Sequence, residues 1–303
     1  VVLQTVSILL VKECRKKDIL KLSRKRFIDI WPAAVEAIKN AVEYFRNAYR
    51  IPVSQLLPYP NLVVPFAYYF FRKGRKPTGK AQQYLQDFFW RAALGGRYSQ
   101  AVEGRLAQDI RKIDLIISGR LPRYEWAVDC SPEFIKNNGW FSVGRAYIKA
   151  LLCVLVYQEP KSFLDNSIVR ISNDWLKQAN SKNYHHFFPR AYLKKRGWED
   201  EYINHIANIT IVDDFLNKRE IRAQAPSKYM RRFARENKEL HKAMRTHLIK
   251  LDTFGVFEND YDKFFHKRCQ ALSRQLRKRI IEQRVDSEKL AAPAIETMRE
   301  EIE

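Results

Sequence analysis

Two adjacent histidines, His185 and His186, and two later asparagines, Asn208 and Asn217, are the residues of this chain best suited to chemistry. A histidine near its free pKa can accept a proton from water at neutral pH, and an imidazole nitrogen or an amide oxygen can bind a divalent cation. Phosphodiester hydrolysis needs both abilities, because a water must be deprotonated and the charge of the transition state must be offset.

Three elements must position these side chains. The histidines run into Phe187-Phe188-Pro189, and Asn208 opens the apolar run Ile209-Thr210-Ile211. We therefore predict a strand that carries the histidines, a second short strand around 209–212, and a helix that begins near 213–215. Such a ββα unit would hold one metal ion between its first strand and its helix.

The stretch from Tyr184 to Arg219 resembles the HNH, or ββα-metal, nuclease finger. It is most similar to the C-terminal nuclease domain of GmrSD-type restriction endonucleases, in which a His-His-x-Phe-Pro segment is followed by an Ile-Ala-Asn segment and a helical Asn. The Pro-Ser-x-Tyr tail of that family stands here as Pro226-Ser227-Lys228-Tyr229. The residues around Trp90, Tyr98 and Asp109 are more loosely similar to the helical region that precedes the nuclease.

The resemblance implies a role for each site residue. His186 aligns with the general base, and Asn208 with the residue that holds the loop and orients that base. His185 and Asn217 align with metal ligands. Contacts to phosphate or DNA are expected from five cations: Lys218, Arg219, Arg190, Arg231 and Arg232.

The metal ligand His185 has an alternative role. Adjacent side chains of a strand point to opposite faces, so both histidines can serve one site only if the strand end is twisted or bulged. His185 would otherwise pack or hydrogen-bond away from the ion. As a ligand, its imidazole replaces the usual carboxylate, which makes Mg²⁺ binding weaker and favours Mn²⁺, Co²⁺ or Ni²⁺. Asp213 or Asp214 is expected to cap the following helix.

The chain is strongly basic, with a formal net charge of +21. Clustered Lys and Arg side chains gain affinity for nucleic acid by releasing counterions from its phosphates, so DNA is the expected partner. A merely basic, solvated surface is the alternative. No apolar run is long enough for a membrane span, and the apolar start lacks the features of a signal peptide. The four cysteines form no C-x-x-C pair, which argues against a zinc ribbon and favours a reducing cytoplasm. The resemblance implies that this is the cytoplasm of a bacterium.

Helical spacing of apolar residues dominates outside the finger, so we predict a mainly α fold. Residues 1–50 are predicted to be helical, because apolar residues recur at this spacing through Phe27, Ile30, Trp31, Val35, Ile38, Val42 and Phe45. Three regions are expected: a helical domain over 1–165, the ββα finger over 166–235, and basic helices over 236–303 that pack on the finger. Because the chain starts inside an apolar helix pattern, it is expected to continue an upstream domain.

The leading hypothesis is a metal-dependent DNA endonuclease, the effector of a bacterial anti-phage, modification-dependent restriction system. One such site cuts one strand, so the enzyme would nick, and a homo-oligomer would be needed for paired cuts. The family's nucleotide-hydrolysing sensor domain has no signature here and would lie upstream. The alternative is a catalytically idle nucleic-acid-binding module. A zinc enzyme of another kind fits poorly, because no H-x-x-x-H pair is present.

Overall fold

The computed structural model describes residues 1–171, 184–212, 221 and 223–288. The protein is mainly helical, as predicted. Six helices are found in residues 1–129: α1 (Val2–Val11), α2 (Lys16–Leu20), α3 (Arg24–Ala48), α4 (Val63–Lys73), α5 (Gly79–Leu94) and α6 (Val102–Ile117).

The described residues after 129 contain shorter helices and one small sheet. The helices are α7 (Pro132–Asn138), α8 (Ala146–Tyr157), α9 (Arg190–Lys194), α10 (Asp200–Ile203), α11 (Pro226–Glu236), α12 (Leu240–Thr246), α13 (Tyr261–Arg277) and α14 (Arg284–Ser287). The strands are β1 (Tyr184–His186) and β2 (Ile209–Ile211). None of the described helices is both long and apolar enough to cross a membrane.

The chain divides into two compact units. Unit 1 comprises Val1–Tyr49, Leu57–Asp129 and the described residues from Arg279 onward; unit 2 comprises Arg50–Leu56 and Cys130–Lys278. The predicted boundaries near 165 and 235 both fall within unit 2. The two strands thus belong to a larger packed body than the predicted finger, with α7, α8 and α13 around them.

Helix α3 lies within residues 1–50, which were predicted to be helical. Ser23 begins the helix by accepting a hydrogen bond from the backbone N–H of Arg26. The buried positions are Ala34, Ala37, Ala41, Tyr44 and Phe45, whereas Trp31 and Val42 are about two-fifths exposed. The buried face thus combines small alanines with the rings of Tyr44 and Phe45, which both contact Phe66 of α4.

Aromatic packing and one buried ion-pair group hold unit 1 together. The rings of Phe45 and Phe66 lie 4.7 Å apart, and those of Tyr49 and Phe89 lie 4.6 Å apart. On α5, the fully buried Arg91 pairs with Asp87 at 3.0 Å and binds both carboxylate oxygens of Asp286, which tethers α14 to this unit. Burial raises the pKa of Asp87 to about 6 in spite of that pairing.

Unit 2 is built around α13, which packs against α7 and against the 3₁₀ turn of residues 206–208. His205 connects these elements: its Nε2 donates to the carbonyl oxygens of Ile135 and Lys136, and its Nδ1 accepts from the backbone N–H of Ala207. All four cysteines are buried and are present as thiols rather than disulfides.

Candidate functional site

The two strands predicted around the histidines pair with each other. β1 and β2 are antiparallel, with His185 opposite Thr210 and His186 opposite Ile209. Because side chains alternate along a strand, the two imidazole rings have separate surroundings. The strand pairing of the expected ββα unit is therefore present, while its helix near 213–215 lies outside the described residues.

Asn208 is fully buried and holds the turn that follows β1. Its side-chain oxygen accepts from the backbone N–H of Phe188 at 2.8 Å, and its amide nitrogen donates to the carbonyl oxygens of Phe188 and Ile203, both at 3.0 Å. Every hydrogen-bonding direction of this amide except one lone pair is used. Asn208 is thus a positioning residue for the backbone beside the histidines, as the resemblance implies.

The imidazole of His186 is oriented by Asn204. The amide nitrogen of Asn204 donates to the carbonyl oxygen of Phe141 at 3.1 Å, which turns its Oδ1 toward His186 Nε2, also at 3.1 Å. An amide oxygen can only accept, so His186 carries its proton on Nε2. Nδ1 is then the basic nitrogen, and it has no hydrogen-bond partner among the described residues.

His186 is neutral at physiological pH. Burial lowers its pKa to about 4; the hydrogen bond with Asn204 opposes this shift and the positive charge of Arg190 adds to it. Arg190 is exposed at the start of α9, four residues beyond the strand's partly exposed end at His186. The strand end thus combines a proton acceptor with a nearby cation.

His185 lies in the core, with 2% of its surface exposed. Its Nδ1 lies 3.1 Å from the hydroxyl oxygen of Thr210, and its ring meets those of Phe163 and Tyr229 edge-on. Burial, reinforced by His186 and His247, lowers its pKa to about 3. Its Nε2 has no hydrogen-bond partner within the part of the chain that the structure describes. This geometry matches the alternative role of packing and hydrogen bonding.

The described residues do not complete a metal site around His185. Within 1–171, 184–212 and 223–288 no cluster of three His, Cys, Asp or Glu side chains is spaced to hold an ion. The unpartnered Nε2 is free as a ligand atom would be, but aromatic rings enclose it. The other predicted ligand, Asn217, lies outside the described residues, as do Lys218 and Arg219. The ligand roles of His185 and Asn217 stay predictions.

The predicted DNA-contacting cations of α11 differ in exposure. Arg231 is exposed, with its guanidinium 5.1 Å from the ring centre of Phe257, and Arg232 is partly buried over Phe233. The neighbouring Tyr229 is fully buried and donates its hydroxyl proton to the carbonyl oxygen of Phe187. The Pro-Ser-x-Tyr tail therefore contacts the residue that directly follows the histidines.

No protein-family model matches this chain. A curated relative is the uncharacterized protein MJ0686 of Methanocaldococcus jannaschii, which is 21% identical over 271 residues. The alignment covers 81% of this chain but 42% of that protein, so the chain spans about two-fifths of the relative's length. The relative's name states no activity, so the similarity adds no chemistry to the site.

Two residues near the site were not predicted to have these roles. The contact of Asn204 with His186 depends on the position of Phe141, which lies far away in sequence. Arg268 of α13 is fully buried and donates through Nη2 to the carbonyl oxygen of Ile209 at 2.8 Å. Burial lowers its pKa to about 9, and its Nε and Nη1 have no hydrogen-bond partner among the described residues. Neither residue carries a sequence signal that would reveal its contact.

Proposed function

We propose that this chain is a metal-dependent DNA endonuclease of the HNH type that nicks one strand by phosphodiester hydrolysis. The observation that carries the proposal is the imidazole of His186, held in one tautomer by Asn204 with Nδ1 left as a free base. The antiparallel strand pair and the turn held by Asn208 support it further, because the resemblance leads one to expect both features beside the base.

His186 would accept the proton of the attacking water. A base with a pKa near 4 is weak, but a bound phosphate brings negative charge close to it and neutralises Arg190. Both effects raise the pKa of a nearby imidazole toward neutrality, where general-base catalysis is most efficient. Asn204 would keep Nε2 protonated and so act as a positioning residue.

One divalent ion is part of the proposal, Mg²⁺ or Mn²⁺, with Co²⁺ and Ni²⁺ as further candidates. When bound, such an ion supplies charge to offset the negative phosphorane and the leaving oxygen. Lys218, Arg219, Arg190, Arg231 and Arg232 are proposed to hold the DNA. In a cell the chain would serve as the effector of a bacterial, modification-dependent restriction system, with a nucleotide-hydrolysing partner domain upstream.

Nicking of supercoiled plasmid tests the proposal. Wild type should convert supercoiled to open-circular DNA with Mg²⁺ or Mn²⁺ and should stop when EDTA is added. His186→Ala should lower the rate by about 10²–10⁴-fold, the usual contribution of a general base. Asn204→Ala should also slow nicking, because the ring loses its fixed tautomer.

The matched control is His241→Ala, which removes an exposed histidine of α12. It should nick like wild type. Equal rates for wild type and His186→Ala would refute the nuclease. Asn208→Ala is not a useful control, because it leaves three buried backbone groups without partners and disturbs folding.

A catalytically idle nucleic-acid-binding module is the second candidate. It is favoured by the enclosure of His185 and by the absence of a three-residue metal cluster in the part of the chain that the structure describes. If wild type and every variant bind plasmid but none nicks it with any of the four metals, this candidate replaces the first.

A further inference from the structure

Unit 1 contains a cavity with a basic lining, which shares no residue with the two strands of unit 2. Helix α6 and the chain that follows it enclose a cavity of about 900 Å³. Its described lining contains five cations and one acid: Arg97, Arg111, Lys112, Arg120, Arg123 and Glu125. A concave surface dominated by one sign of charge concentrates the electric field and attracts the opposite ion.

Two of these cations form a fixed, charge-balanced floor. Arg97 binds both carboxylate oxygens of the buried Asp109, at 3.0 and 2.9 Å, and its guanidinium lies 4.3 Å from the ring centre of Trp126. Lys112 is 3.0 Å from Glu125 and 3.5 Å from Asp109. The floor is therefore held in place before any ligand binds.

The other three cations form the rim, and their charge is not balanced. Arg111, Arg120 and Arg123 are exposed, and none of them forms an ion pair with a carboxylate of residues 1–171, 184–212 or 223–288. Arg120 donates through Nε to the hydroxyl of Ser118 at 3.1 Å, which leaves most of its guanidinium free. Three unpaired guanidinium groups around one cavity repel one another until an anion is bound.

The lining also indicates how a ligand would be recognised. It contains no aromatic side chain among the described residues, and Arg97 already covers a face of Trp126. A nucleobase would therefore find no ring on which to stack. Guanidinium forks match the oxygens of phosphate groups, so recognition would depend on phosphate charge.

We propose that this cavity binds a phosphate-rich ligand, with Arg111, Arg120 and Arg123 contacting its phosphates at the rim. The ligand is either the backbone of a nucleic acid or a free polyphosphate, which share this chemistry. Glu125 opposes binding, because its carboxylate competes for Lys112. The proposal does not depend on the nuclease, since it involves no residue of the paired strands.

Binding of two probes to full-length variants tests the proposal. The probes are a fluorescein-labelled single-stranded DNA, followed by anisotropy, and sodium tripolyphosphate, followed by calorimetry, both in EDTA at fixed salt. The double substitution Arg111→Gln/Arg123→Gln at the rim should lower the affinity for the bound probe by about tenfold or more. The control Arg24→Gln/Lys39→Gln removes the same charge from exposed positions of α3 and should change affinity by less than about twofold.

Glu125→Gln provides a test in the opposite direction, because it removes the one acid of the lining without removing a cation. It should strengthen binding, which a damaged fold could not do. Equal losses in the rim variant and the α3 control would overturn the proposal. So would an unlabelled polyglutamate that competes as well as DNA of equal charge, because the ligand would then be an acidic protein.

The two sources of phosphate are separated by the same data. If the rim variant loses DNA binding and wild type does not bind tripolyphosphate, the ligand is a nucleic-acid backbone. If wild type binds tripolyphosphate and the rim variant does not, the ligand is a free polyphosphate. The rim residues belong to unit 1 and the paired strands to unit 2, and both probes are used in EDTA, so this result is independent of whether the chain nicks DNA.

Discussion

At the scale of single residues, His185 and His186 are neighbours in sequence with opposite chemical surroundings. His185 packs against aromatic rings and hydrogen-bonds Thr210, whereas His186 is partly exposed and held by Asn204. Only His186 has both a free nitrogen and access to a substrate. The two histidines therefore divide into one core residue and one partly exposed residue, which is the proposed base.

The sequence was informative about which residues form this site and less informative about their contacts. The order of His186, Asn208 and Tyr229 pointed to one local structure, and the three residues do lie around one turn. The contact between Asn204 and His186 could not be predicted, because it requires the backbone of Phe141. Arg268 looked like one more cation of a basic helix, since burial is a property of the packed fold.

The buried histidines predict that unit 2 loses stability in acid. Burial lowers the pKa of His247 to about 4, while an unfolded histidine titrates near 6.5. Between these values the unfolded state binds more protons than the folded state. The free energy of unfolding therefore has its full value above about pH 6.5 and decreases as the pH falls toward about 4. Each such histidine costs about 1 kcal/mol of unfolding free energy between pH 7 and pH 5.5.

Chemical denaturation of His247→Gln at pH 7 and pH 5.5 measures this contribution. A glutamine amide can donate to the carbonyl oxygen of Lys161, as His247 does, but it does not titrate. On acidification, the free energy of unfolding of the variant should decrease by about 1 kcal/mol less than that of wild type. The control His241→Gln changes an exposed histidine, so its free energy of unfolding should fall between pH 7 and pH 5.5 by as much as that of wild type. If the free energy of unfolding of His247→Gln also fell by the wild-type amount, the buried and neutral state of His247 would be contradicted.

At the scale of elements, helices and strands were predicted where local spacing is regular. The strands around 184–186 and 209–211 were found because alternation and chain breaks are local signals. The apolar spacing of α3 did not show which residues are buried: Phe45 is buried, but Trp31 and Val42 are about two-fifths exposed, and the smaller Ala34, Ala37 and Ala41 are buried. Which face a helix buries depends on its neighbour, and the sequence of one helix does not contain that neighbour.

The end of α7 gives a prediction at this scale. A Cβ at Gly139 would lie 2.2 Å from Nε2 of His205 and 2.6 Å from the carbonyl oxygen of Ile135. Gly139→Ala should therefore destabilise the protein by about 1–3 kcal/mol, the usual cost of overpacking. Gly144→Ala, where a Cβ would meet no atom within 4 Å, should be neutral or slightly stabilising. Equal unfolding midpoints in urea for the two variants would rule out the close packing of α7 on His205.

At the scale of the whole molecule, the dominant property is the net charge of +21. If that charge serves DNA binding, affinity must fall steeply with salt, with a slope of about −0.9 in the logarithms for each B-DNA phosphate neutralised. Contact with five phosphates would give a slope of about −4.5. Anisotropy titrations of duplex DNA across a series of NaCl concentrations give this slope directly. A slope near zero would mean that the charge only keeps the protein in solution.

The four cysteines have a practical consequence. Burial raises the pKa of Cys14 in unit 1, and of Cys153 and Cys269 in unit 2, to about 12 in each case. Shielded thiols of this kind resist alkylation while the surrounding residues stay packed, and they react once those residues open. Cys14 belongs to unit 1, and Cys153 and Cys269 belong to unit 2. Peptide mapping after timed thiol labelling would therefore measure the local opening of each unit without an engineered probe.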